Sequence, residues 1–63
     1  MRFLNAKNPK QLNLCLRMLY AEKVKWTVDI VEDNNGKIRF EIGIDVTDEE
    51  YDSLREKYRI LIS

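Results

Sequence analysis

Between Trp26 and Val46 the apolar residues fall on even positions with a single exception: Trp26, Val28 and Ile30, then Ile38, Phe40, Ile42, Ile44 and Val46, against Val31 alone. A period of two places such side chains on one face of an extended chain, so the stretch predicts two half-buried strands. Asp33, Asn34, Asn35 and Gly36 lie between them and predict the turn of a β-hairpin. Parity then decides the register, because facing residues share a side of the sheet only when their numbers sum to an even value. A two-residue Asn35-Gly36 loop would set Ile30 against Glu41. A three-residue loop, Asn34-Asn35-Gly36, pairs Asp33 with Lys37 and matches Ile30 with Phe40, Val28 with Ile42 and Trp26 with Ile44. In that loop a type I turn is followed by a left-handed residue, where Gly36 is wanted. The whole patterned face of the hairpin is expected to be core.

Upstream, 1–5 is a short apolar stretch that reads as a strand. Asn8-Pro9 then predicts a helix start, with asparagine as cap and proline in the first turn, where its missing N–H costs nothing. The helix is expected over 9–22. Leu12, Cys15, Leu16 and Leu19 recur at helical spacing and are assigned to the sheet. Leu14, Met18 and Ala21 form a second stripe, roughly 160° away at about 100° per residue. The second stripe reads two ways: Leu14 and Met18 are isolated exposed apolars or lie under a loop, or the helix makes a contact beyond the sheet, most simply with a second copy of the chain.

Downstream, Thr47 followed by Glu50 has the spacing of a capping box, and acids at 48–50 suit a helix N-terminus. Tyr51, Leu54, Tyr58 and Leu61 continue a helical spacing. The end reads two ways, since Tyr58, Ile60 and Ile62 also alternate. With a final strand over 58–62 the order is βαββαβ, similar in element order to ferredoxin-like sandwiches, and this ending is weakly preferred for its β-branched residues. Without it the order is βαββα. Either way the expected fold is a small α+β two-layer sandwich, a mostly antiparallel sheet with helices on one face.

At 63 residues the chain is expected to be one domain. A chain this short buries only about 60% of its unfolded surface, so it gains from association. The one cysteine, Cys15, has no disulfide partner and the sequence holds no histidine. No metal site, cofactor or Ser/Cys-His catalytic set is expected, and a reducing, cytoplasmic setting follows from the lone thiol. No apolar run approaches the roughly 20 residues of a membrane span, so no membrane partner is expected.

The formal net charge is zero, but residues 1–25 carry +5, 26–53 carry −7 and 54–63 carry +2. Asp29, Glu41, Asp45, Asp48, Glu49 and Asp52 make up an acidic surface candidate. The deduced register sets Asp29 against Glu41, which is locally unfavourable. A pair of carboxylates can share a proton or bind a hard cation, although basic neighbours on an open face also simply screen them. The expected function is a non-enzymatic protein–protein interaction module that self-associates, with Leu14, Met18 and Ala21 and an open hairpin edge as contact surfaces. The alternative is an acidic inhibitor or adaptor, of the kind found in phage and mobile elements, that engages a basic nucleic-acid-binding surface. Third comes weak nucleic-acid binding through Lys7, Lys10 and Arg17 of the first helix. The acids on the open sheet face oppose it.

Overall fold

The computed structural model describes residues 1–61, in the order β1 (Arg2–Ala6), α1 (Pro9–Ala21), β2 (Trp26–Glu32), β3 (Ile38–Ile44) and α2 (Asp48–Lys57). The strands form one antiparallel sheet in the order β1-β3-β2, with β3 in the centre. This is a small α+β fold, as the apolar pattern predicts.

The hairpin has the register that parity requires: Ile30 faces Phe40, Val28 faces Ile42 and Trp26 faces Ile44. Its loop closes with the Asp33 N–H donating to the Lys37 carbonyl at 2.9 Å and the Gly36 N–H donating to the Asp33 carbonyl at 3.1 Å. Gly36 sits at φ +78°, the left-handed conformation that follows the type I turn. The Asp33 carboxylate accepts from the N–H groups of Asn35 and Lys37 at 2.8 and 2.9 Å, so the side chain replicates the turn it begins. On the other flank, Arg2 faces Ile44, Leu4 faces Ile42 and Ala6 faces Phe40. Even numbers thus share one face across all three strands.

Both helices are capped from local sequence. Asn8 accepts from the Gln11 N–H at 2.8 Å, and the Gln11 side chain returns to the Lys7 N–H at 2.8 Å. Thr47 accepts from the Glu50 N–H at 3.2 Å while Glu50 accepts from the Thr47 N–H at 2.9 Å, a complete capping box. The end of α1 is less expected. The N–H groups of Lys23 and Val24 donate to the carbonyls of Tyr20 and Leu19 at 3.1 and 2.9 Å, the paired bonds of a Schellman cap. That cap needs a left-handed residue, and Lys23 supplies it at φ +58° in place of the usual glycine.

The core joins Leu4, Ala6, Cys15, Met18, Leu19, Ile42, Ile44, Val46 and Leu54, with Leu12, Leu16, Val24, Phe40, Tyr51, Tyr58 and Leu61 packed around it. Met18 is buried, which corrects its assignment to an outward stripe. The apolar arc of α1 is wider than one heptad face, because the helix meets more than the sheet alone. Leu14 and Ala21 do stay exposed. Glu22, at the end of α1, reaches α2: its carboxylate accepts from Lys57 Nζ and from the Tyr58 hydroxyl, each at 3.2 Å.

No final strand forms over 58–61; Ile62 lies outside the described residues. Tyr58 ends α2, and the Leu61 N–H donates back to the Tyr58 carbonyl at 3.0 Å, which makes the segment a turn. No turn-forming residue separates Lys57 from Tyr58, so the chain has no local means of leaving the helix for an extended return. Tyr58 and Leu61 instead fold back onto the core.

Candidate functional site

The two faces of the sheet differ. On the odd face Gly43 is flanked by Phe3 and Thr27, one on each neighbouring strand. A side chain at 43 would meet Thr27 Oγ1 at 2.8 Å and Phe3 Cε1 at 3.4 Å, so glycine is there for close approach and the Phe3 ring covers it. The like-charged pair expected from the register is present, Asp29 facing Glu41. Arg39, two residues before Glu41 on β3, relieves it: its guanidinium lies 3.6 Å from the Glu41 carboxylate and its Nε donates to Asn5 Oδ1 at 3.1 Å. Among the described residues no group of three or more His, Cys, Asp or Glu side chains could hold a metal ion.

The remaining acids are dispersed. Asp45 is exposed after β3, and Asp48, Glu49 and Asp52 are exposed on the first turns of α2. Asp48 lies 3.4 Å from Arg2, whose guanidinium also stacks 4.1 Å from the centre of the Tyr51 ring. Glu50 is held as a carboxylate below its ordinary range by the backbone and side-chain hydrogen bonds from Thr47. Asp29 and Glu41 therefore share one sheet face, while the other four sit at the β3–α2 corner.

Burial pushes the Cys15 thiol above its ordinary range. A thiol in that state is a poor nucleophile, since only the thiolate attacks.

The even face behaves differently along its width. Over β1 and β3 it is roofed, with Leu4, Ala6, Ile42 and Ile44 buried. Over β2 it is open. Trp26 and Val28 are 37% exposed, Ile30 69%, and Ile38 across the hairpin 57%. The expectation that the patterned face is entirely core therefore holds for Ile42 and Ile44 of the central strand and fails for β2 and for Ile38 beside the turn. Short connections explain why. Only Lys7 and Asn8 separate β1 from α1, and only 45–47 separate β3 from α2, so neither helix can start far from the strand that precedes it. α1 packs on β1, and no side chain of β2 is buried beneath either helix.

Beside this stripe, Tyr20, Lys23, Val24, Lys25 and Trp26 line an open hollow where α1 ends and β2 begins. The Tyr20 ring is largely exposed at its rim. The surface thus runs from a basic end, Lys23 and Lys25, over apolar side chains to an acidic end at Glu32 and Asp33. The open hairpin edge was among the expected contact surfaces, but periodicity did not reveal the exposed face beside it, because it marks which residues share a face, not what covers it. The usable signal was length: each arm of the hairpin is seven residues, about 23 Å at 3.3 Å per residue, and carries more apolar positions than two tethered helices cover.

No protein-family model matches this chain, and no curated protein or solved structure matches it. The arrangement itself defines the class: a three-stranded α+β fold whose apolar edge strand β2 is only partly covered and, among the described residues, pairs with another strand along one side only.

Proposed function

We propose that this protein is a non-enzymatic interaction module that self-associates through β2. The observation that carries the reading is the open apolar face formed by Trp26, Val28, Ile30 and Ile38. A contiguous exposed apolar surface on a small domain is the usual mark of an interaction site. The edge of β2 supports the same reading. Natural edge strands are blunted by proline, bulges, shortness or inward-pointing charge. β2 runs seven residues, WTVDIVE, with no proline, and Glu32 at its very end is the only charge on the inner face.

Sedimentation equilibrium tests the proposal. Wild type is expected to dimerise, and Ile30→Lys, at a position already exposed in the monomer, to keep its circular dichroism spectrum and become monomeric. Leu14→Glu, on the exposed flank of α1, is expected to leave the dimer intact. A wild type that stays monomeric at hundreds of micromolar would sink the proposal. Loss of the dimer in Leu14→Glu but not in Ile30→Lys would move the contact to α1.

A further inference from the structure

Resting on that reading of β2, we propose that the second copy joins antiparallel to β2 about a two-fold axis at Val28, making one continuous six-stranded sheet. The phase of the hydrogen bonds is the first argument. The bond from the Asp33 N–H to the Lys37 carbonyl marks 33 and 37 as a bonded pair. Bonded and non-bonded pairs alternate along an antiparallel ladder, so odd-numbered residues of β2 bond to β3. The backbone N–H and C=O groups of Trp26, Val28 and Ile30 therefore turn to the free edge. These are the residues whose side chains form the open apolar face. Pairing even residues with even residues satisfies the edge and keeps the two apolar faces contiguous.

Side-chain chemistry then selects the register. Overlap of at least five residues within β2 leaves three two-fold centres: Val28, Asp29 and Ile30. Centring on Asp29 sets that carboxylate against its own copy and Trp26 against Glu32. Centring on Ile30 sets Val28 against Glu32. Centring on Val28 pairs Trp26 with Ile30 of the second copy, Val28 with Val28, and Thr27 with Asp29. No like charges meet, and an aromatic side chain faces a β-branched one, a favoured cross-strand pair.

Charge complementarity beyond the paired segment agrees. The same register carries Glu32 and Asp33 of the second copy alongside Lys23 and Lys25, at the hollow lined by Tyr20, Lys23, Val24, Lys25 and Trp26. The basic start of each β2 thus meets the acidic end of the other, twice, by symmetry.

Single-cysteine cross-linking tests the register apart from self-association itself. Facing residues in a bonded antiparallel pair have Cα atoms about 5.5 Å apart, within the range a disulfide spans. Val28→Cys, Asp29→Cys and Ile30→Cys would each be oxidised with oxidised glutathione and run on a non-reducing gel, with wild type as the control for buried Cys15. Val28→Cys is expected to give the covalent dimer at least tenfold faster than either neighbour. Faster cross-linking at Asp29→Cys or Ile30→Cys overturns the Val28 register. So does a Val28→Cys protein that sediments as a dimer without cross-linking. Both outcomes leave self-association standing. A monomeric wild type removes both proposals together.

Discussion

Two residues carry backbone demands that their neighbours do not share. Gly36 takes a left-handed conformation that glycine adopts freely. Lys23 takes one at φ +58° that an L-residue adopts at a cost, because the Schellman cap at the end of α1 requires it. Lys23→Gly is therefore expected to stabilise the monomer by roughly 0.5–1 kcal/mol, measured as a higher urea midpoint with an unchanged slope. To separate that effect from association, the comparison belongs in the Ile30→Lys background. The substitution also removes one of the two cations beside the hollow, so in the wild-type background the dimer is expected to weaken while the monomer strengthens. At this scale the sequence was an uneven guide. Gly36 announced its conformation because only one hairpin loop satisfied parity. Lys23 gave no such signal, since its conformation is imposed by Leu19 and Val24 packing on either side of the cap.

At the scale of elements, α2 illustrates how local chemistry and tertiary packing divide the work. Its start is determined by Thr47 and Glu50, and a reader of the letters finds it at once. Thr47→Ala is expected to cost about 1 kcal/mol, the usual value of a lost N-cap, read again from the urea midpoint. The capping box also sets a pH dependence. Glu50 is depressed in the folded chain relative to an unfolded carboxylate. Its contribution is therefore present above the unfolded carboxylate pKa and lost as pH falls through the folded value. Glu50→Gln is expected to flatten the acid limb of a stability–pH profile and leave the neutral region almost level. At the other end, the hydrogen bond from Lys57 to Glu22, with their charge attraction behind it, raises the lysine pKa. That contribution is present below the unfolded lysine value and fades as alkali carries the pH through the folded one. The end of α2 was not legible, because Tyr58, Ile60 and Ile62 alternate like a strand. What decides it through Leu61 is the Tyr58 hydroxyl on Glu22, 36 residues away in sequence, and Leu61 against the core. Hairpin arms and helix starts are written in adjacent letters; helix ends and roofing are settled at long range.

The molecule as a whole is longer than its size requires. Its radius of gyration is 11.6 Å, against about 10.6 Å for a compact chain of this length. The extents of 34 × 21 × 18 Å describe an elongated body. The sequence foretold the α+β layers and the antiparallel sheet, and offered two contact surfaces: Leu14, Met18 and Ala21 on α1, and an open hairpin edge. Met18 proved to be core, and the larger exposed apolar surface lies on β2. The outward placement of Met18 and the inward placement of the β2 face share a physical source. Periodicity ranks residues by face, whereas exposure depends on how far short connections let a helix travel. The acidic residues tell a related story: grouped as one surface candidate on paper, they divide in space, and Arg2 and Arg39 engage Asp48 and Glu41.

The central position of β3 has a further consequence, in time rather than in space. From Phe40 to Ile44 every amide of β3 faces a bonded neighbour on one side or the other, whereas β2 is bonded along one edge only. Solvent deuterium should therefore read the alternation directly. In the monomeric Ile30→Lys variant, the amides of Thr27, Asp29 and Val31 are expected to exchange slowly, and those of Val28 and residue 30 at rates close to an unstructured chain. Association of the wild-type chain should slow the Val28 and Ile30 amides together and in proportion to the fraction dimerised, giving the odd–even pattern of the edge strand a lifetime that depends on concentration.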